Sequence, residues 1–169
     1  MIIYNKFILN VMYMERKDNY YFAYGSNLNH VQMLTRCPNS ILIGKTMLED
    51  YKLAFKGSKE GLAYLTIEPS PNSNVPIGIY KISYYDEKRL DIYEGYPKLY
   101  KKEIINIPLN DKETISGIIY IMNPLYSYNI PSYSYYLICE EGYRNFDFDS
   151  SYLEEALKDI NKKKKSLKT

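Results

Sequence analysis

Tryptophan is absent and histidine occurs once, at His30, so any Ser-His pair or multi-histidine metal site would have to be built on that single imidazole. Two cysteines, Cys37 and Cys139, stand far apart without metal-ligand spacing. They read as small buried hydrophobes in a reducing cytosol, not as a disulfide or a nucleophile. Neither sign of charge dominates: 22 Lys and Arg against 20 Asp and Glu leave a net +2. That balance argues against dedicated nucleic-acid binding. No apolar run reaches the roughly 18 residues of a membrane span. The mildly apolar Met1–Met14 stretch is broken by Asn5, Lys6 and Asn10 and lacks a signal-peptide cleavage pattern. Neither a G-x-x-x-x-G-K-[ST] loop nor a G-x-G-x-x-G fingerprint occurs, so nucleotide binding has no support. There is no internal repeat. These absences leave a cytoplasmic protein with no nucleic-acid and no membrane partner.

The 169 residues suffice for one domain with its own core, and 46% hydrophobic and 25% charged residues are ordinary for a globular chain. The 21 tyrosines are unusual and offer many hydroxyls for a polar pocket. Residues 1–17 read as a leader, with Met12 and Met14 as alternative starts. Residues 18–161 read as the domain, and residues 162–169, with Lys162–Lys165, as a solvated basic tail.

The segment Tyr20–Leu28 organises the rest. An aromatic run suited to a strand stops at Gly25-Ser26-Asn27, and a short helix is expected over Leu28–Thr35 until Pro38. Glycine opens backbone angles closed to other residues, and Ser26 and Asn27 are capping types. A strand turning into a helix leaves unpaired N–H groups in one small space, suited to a carboxylate or a developing oxyanion. Taken alone, the segment reads more simply as a well-capped turn, because strand–turn–helix junctions are common. One or two strands follow over Ile41–Phe55, with a bend at Gly44 and a turn at Gly57–Gly61. Strands are expected at Leu62–Ile67 and Val75–Ser83, separated by a loop at Pro69–Asn74, with Gly78 admitting a neighbouring backbone or ligand. Ser83 and Asp86 form a capping-box pattern for a helix stopped by Gly95 and Pro97. Strands Leu99–Leu109 and Thr114–Met122, a loop at Pro124–Pro131, and helices from Ser132 to Gly142 and over Ser151–Asn161 complete the chain. Strands that mostly precede the last helices indicate an α+β domain with a curved, largely antiparallel or mixed sheet.

Glu94 breaks a local rule, because a carboxylate in the last turn of a helix meets the negative end of the dipole. Asp91 one turn back adds like charge, and partial burial would raise the proton affinity as a general base requires. The alternative is a solvated surface carboxylate. The acidic group Glu140, Glu141, Asp147 and Asp149 matches no calcium-loop spacing.

Tyr24-Gly25-Ser26-Asn27-Leu28 after an aromatic strand, and Leu90-Asp91-Ile92-Tyr93-Glu94-Gly95 followed by Tyr100, resemble the gamma-glutamylcyclotransferase superfamily (AIG2-like). The Gly78-Ile79-Tyr80 strand and Pro131-Ser132 leading into a tyrosine-containing helix fit the same pattern. The likeness covers about residues 19 to 160. It implies a small mixed, mostly antiparallel β-barrel with flanking helices and a reaction that needs no cofactor or metal. In that reaction the α-amine of a small gamma-glutamyl amine or dipeptide attacks its own side-chain carbonyl, releasing 5-oxoproline and an amine. By the resemblance Glu94 is the acid/base that shuttles a proton. Tyr21, Phe22, Ala23, Tyr24, Gly25, Ser26 and Asn27 hold the substrate, together with Tyr100 and Tyr135. Tyr133 and Tyr136 remain alternatives to Tyr135. A monomer or homodimer is expected. Two other readings stand: a non-catalytic small-molecule binding module on the same fold, and an interaction protein using its tyrosine-rich face.

Overall fold

The computed structural model of the chain describes residues 19–110 and 112–166. The expected leader, with Met12 and Met14, lies outside them. Element order is β1 (Asn19–Ala23), a single 3-10 turn (Ser26–Leu28), α1 (His30–Arg36), β2 (Ile41–Lys59), β3 (Leu62–Ile82) and α2 (Tyr84–Tyr93). Then come β4 (Tyr100–Asn110), β5 (Glu113–Met122), β6 (Ser127–Tyr128), α3 (Tyr133–Asn145) and α4 (Ser151–Ser166). The six strands form one sheet in the order β4-β5-β1-β3-β2-β6. Only the β1–β5 pair is parallel. The sheet curls far enough that β2 also touches β4, which is four places away in strand order. This is the expected α+β architecture. No helix among the described residues is long and apolar enough to cross a membrane.

The aromatic run becomes β1 because it is short, apolar and flanked on both sides: Phe22 pairs with Ile79 of β3, and Tyr21 with Tyr80 of β3 and Ile118 of β5. It is an interior strand of the sheet, and Phe22 and Ala23, on its two faces, are fully enclosed. Each large apolar side chain so enclosed stabilises the fold by about 1.5–3 kcal/mol. The helices pack around the turn. Gly142 of α3 lies so close to it that an added Cβ would stand 2.6 Å from the backbone nitrogen of Asn29.

Several sequence expectations change in the folded chain. Pro69–Asn74 is not a loop between two strands. β3 runs unbroken from Leu62 to Ile82, and the segment is an excursion within its pairing to β2, from Tyr51↔Pro69 to Glu49↔Asn74. Asp50 and Asn72 absorb the mismatch at positive φ (61° and 62°), and Asp50 Oδ1 accepts the Asn72 N–H at 3.0 Å. The turn after β2 is shorter than expected, since β2 continues to Lys59. Ser127–Tyr128, inside the expected loop, pairs with Lys56 and Gly57 as β6. Helix α3 passes through Gly142 to Asn145, because that glycine is selected by the neighbouring backbone and not by a helix end. Gly78 admits the side chains of Leu28 and Phe146, each of which would stand 2.7 Å from an added Cβ. Lys162–Lys165 continue α4, supported by the Asp159–Lys162 and Glu154–Lys158 pairs one turn apart.

Candidate active site

The strand-to-helix junction folds differently from the simplest expectation. α1 is capped by Asn29, whose Oδ1 accepts the N–H groups of Val31 and Gln32, both at 3.1 Å. Ser26 and Asn27 are thereby free of capping and lie buried in the 3-10 turn. Gly25 sits at φ −120°, so its glycine is not required by a left-handed backbone. An added Cβ there would meet Leu65 Cβ at 3.4 Å and the Tyr135 hydroxyl at 3.7 Å. What the missing side chain preserves is space.

Helix α2 approaches from the other side. Its capping box is present: Ser83 Oγ accepts the Asp86 N–H at 3.1 Å, and Asp86 Oδ2 accepts the Ser83 N–H at 3.3 Å. At its end Gly95 takes φ +61°. The Gly95 N–H donates to the Ile92 carbonyl and the Tyr96 N–H to the Asp91 carbonyl, closing a Schellman motif. Glu94 is the C-cap residue of that motif, and the tight reversal carries its side chain to the turn after β1.

There the two segments meet. Asn27 Nδ2 donates to Glu94 Oε1 at 2.9 Å and to the Tyr21 hydroxyl at 2.7 Å. A small cavity opens between them, lined by Tyr21, Tyr24, Gly25, Ser26, Asn27, Leu65, Glu94, Tyr100, Tyr120 and Tyr135. A second, wider space shares Ser26, Glu94, Tyr100 and Tyr135 with it and adds Tyr64, Tyr93 and Leu99. Glu94 thus borders an inner polar chamber and an outer, more apolar one. A more spacious cleft lies elsewhere, between α4 and the β2–β3 excursion.

Burial pushes the Glu94 carboxyl up to about 7, against the opposing effects of the Arg36 charge and the Asn27 hydrogen bond. Part of the residue is still exposed. Like charge from Asp91 contributes nothing of note: that carboxylate turns away, accepting from the Tyr120 hydroxyl at 2.7 Å and pairing with Lys102 at 2.5 Å. The expectation that Asp91 tunes Glu94 is therefore corrected.

The walls are braced by tyrosines. Tyr100 donates its hydroxyl to the Leu65 carbonyl at 2.6 Å, and the Leu65 N–H donates to the Tyr135 hydroxyl at 3.1 Å. The Tyr24 hydroxyl donates to the Tyr120 carbonyl. Burial pushes Tyr21, Tyr24, Tyr100 and Tyr135 upward, so these phenols stay neutral. Of the three crowded tyrosines of α3, Tyr135 lines the cavity, while Tyr133 is exposed and Tyr136 packs near Phe55.

Of the expected site residues, Glu94, Tyr21, Tyr24, Gly25, Ser26, Asn27, Tyr100 and Tyr135 come together. Phe22 and Ala23 do not reach the cavity; both are core, with Phe22 under Gly117 of β5. Leu65, Tyr120 and Arg36 were missed, because only tertiary folding brings β3, β5 and α1 to the turn. The other candidates lie elsewhere. His30 is exposed at the start of α1, 5.2 Å from the Phe146 ring. Both cysteines are buried and free. The acidic group disperses: Glu141 accepts from Asn29, Glu140 pairs with Arg144, and Asp149 accepts the Ser151 N–H. No group of three metal-ligand side chains occurs among the described residues.

Comparison with known proteins finds relatives of this chain and of its fold. The family model described as "Gamma-glutamyl cyclotransferase, AIG2-like" matches residues 21–143. Among solved structures, a gamma-glutamyl cyclotransferase is 25% identical with a TM-score of 0.72, over 83% of this chain and 86% of that one. An uncharacterized protein from Homo sapiens is 27% identical with a TM-score of 0.72, over 82% of this chain and 86% of that one. A yeast gamma-glutamyl cyclotransferase specific to glutathione shares the fold, at 13% identity and a TM-score of 0.58, over 86% of this chain and 96% of that one. No curated protein matches the sequence.

Proposed function

The chain belongs to the gamma-glutamyl cyclotransferase, AIG2-like family, and from that premise we propose that it cyclises the gamma-glutamyl group of a small gamma-glutamyl amine or dipeptide to 5-oxoproline. Glu94 is the general acid/base. The observation that carries this reading is the Glu94 carboxyl at 2.9 Å from Asn27, in the wall of the cavity that Gly25 and Ser26 also line.

The reaction needs a folded substrate, a proton acceptor and support for an oxyanion. In this reading the folded glutamyl group lies against the inner chamber at Glu94 and Gly25, and the departing amine lies toward the outer one. The α-amine enters the step uncharged. As its lone pair attacks the γ-carbonyl carbon, Glu94 takes one of its protons and the carbonyl oxygen becomes negative. When the C=O bond re-forms, the bond to the departing nitrogen breaks and Glu94 returns the proton to it. A carboxyl whose proton affinity lies near neutrality serves in both directions, as base and then as acid.

Donors for the oxygen come from the turn. Its own ladder begins at the Leu28 N–H, which donates to the Gly25 carbonyl, so the N–H groups of Gly25, Ser26 and Asn27 fall outside it. Tyr21 accepts from Asn27, which leaves the phenol's own hydrogen as a further donor. Tyr100 and Tyr135 shape the wall opposite through the Leu65 backbone.

The test is a panel of gamma-glutamyl amino acids, gamma-glutamyl-lysine-type amines and glutathione, with 5-oxoproline read by mass spectrometry. At least one compound should be converted, and its α-N-acetyl derivative should not. Binding of 5-oxoproline with no turnover of any compound would favour a non-catalytic binding module. Equal turnover of the acetylated compound would sink intramolecular attack.

A further inference from the structure

We propose that Arg36 is a positioning residue for this site: by gripping the Asn27 amide oxygen and the Ser26 hydroxyl it aims the Asn27 amino group at the Glu94 carboxylate. The inference rests on the reading of Glu94 as the base. Arg36 closes α1, and its guanidinium reaches three elements at once. One nitrogen donates to Asn27 Oδ1 at 2.5 Å and to Ser26 Oγ at 3.0 Å, and another donates to Gln32 Oε1 at 2.7 Å on its own helix. The plane lies 3.6 Å from the centre of the Tyr93 ring, one residue before Glu94.

The consequence for Asn27 is geometric. With Oδ1 held by a cation, the amino group must face the other way, and its two hydrogens are spent on Tyr21 and Glu94. Turned over, the amide would set its oxygen against the carboxylate. A lysine could supply charge here, but not the planar fork that grips two acceptors and stacks on a ring.

Electrostatics point the same way. Arg36 is the largest influence opposing burial on the Glu94 carboxyl. The other titratable groups facing Glu94 are neutral phenols, Tyr21 and Tyr24 from the first strand and turn and Tyr100 from β4. Tyr120 of β5, Tyr135 of α3 and the Cys37 thiol complete the surroundings, each pushed upward by burial. Tyr93, on Glu94's own helix, is likewise pushed up by burial. The neighbouring cation Lys102 is committed to Glu87 and Asp91.

Two variants and two readouts test this. In Arg36→Met the acidic limb of the kcat/KM profile for 5-oxoproline formation should move up by about one pH unit, since an opposing positive charge is gone. Its plateau kcat should also fall, with little change in KM. Arg36→Lys should restore the position of the limb but not the plateau. The second readout is the carboxyl carbon resonance of Glu94, assigned by its loss in Glu94→Gln and titrated without turnover; it should move with the limb. A uniform loss of rate with the limb and the resonance unmoved would overturn the proposal, as would wild-type kcat in Arg36→Lys. If Arg36→Met does not fold, the Arg36→Lys plateau decides alone. The resonance also separates the two claims. Movement in a protein that makes no 5-oxoproline would retain Arg36's hold on Glu94 and end the enzymatic reading, while turnover with an unmoved resonance would end only this inference.

Discussion

Replacing Glu94 with glutamine keeps the shape of the side chain and an acceptor for Asn27, but removes a proton-binding group that the fold holds in an adverse place. The carboxyl is raised from 4.5 to about 7, chiefly by burial. At 1.36 kcal/mol per pH unit, the difference is at most about 3 kcal/mol of stability. Partial exposure and solvent screening reduce that figure. The sign follows from which state holds the proton more tightly. Here the folded state does, so stability is greatest below pH 4.5 and is lost as pH rises through about 7. Glutamine cannot ionise and does not suffer this loss. Thermal unfolding of both proteins from pH 4.5 to pH 8.5 is the assay. The variant's advantage should grow across that range by up to about 3 kcal/mol, or about 6–12 °C in Tm for a chain of this size. Glu68 and Asp159, whose carboxyls are held below their ordinary values by lysine partners, titrate alike in both proteins and cancel. A difference in Tm that stays flat with pH would refute the reasoning, and one that shrinks would reverse it.

Other expectations follow from the same geometry. Gly25→Ala should fold normally, because its new methyl meets only ordinary contacts, yet raise KM roughly 10-fold or more by filling the chamber; an unchanged KM would remove the turn from the substrate's cradle. Gly142→Ala should destabilise by about 1–3 kcal/mol in denaturant unfolding, since its Cβ meets backbone at Asn29 that cannot swing aside. Tyr135→Phe leaves the Leu65 N–H without its partner and should cost about 1–3 kcal/mol by the same measurement.

The punctuation of this fold is legible in the chain. Ser83 and Asp86 open α2 and Gly95 closes it by rules that depend only on neighbours in sequence, and those rules deliver Glu94 to its place. The aromatic strand before Gly25 was equally plain. What escaped is whatever depends on a partner far along the chain. Pro69 and Pro71 advertise a loop, but the long pairing with β2 resumes beyond them and keeps the segment in the sheet. Gly142 resembles a helix stop, yet it is glycine because the backbone at Asn29 passes against it. Asp91 stands one turn from Glu94 in sequence, but Lys102 and Tyr120 draw it to another face. Phe22 and Ala23, adjacent to the turn, belong to the core because β1 is paired along both edges and packed over on both faces. Arg36, Leu65 and Tyr120 carried no local sign of their part, since each arrives on a different element.

The account's central claim is that one buried carboxyl, placed against the turn after the first strand, moves the proton during cyclisation. Release of 5-oxoproline from the best gamma-glutamyl compound, compared between wild type and Glu94→Gln at saturating substrate, measures that most directly. The account predicts a fall of roughly 10²- to 10⁴-fold in kcat for a variant that is folded and, above neutral pH, more stable than wild type. A folded variant that releases 5-oxoproline at close to the wild-type rate would contradict it.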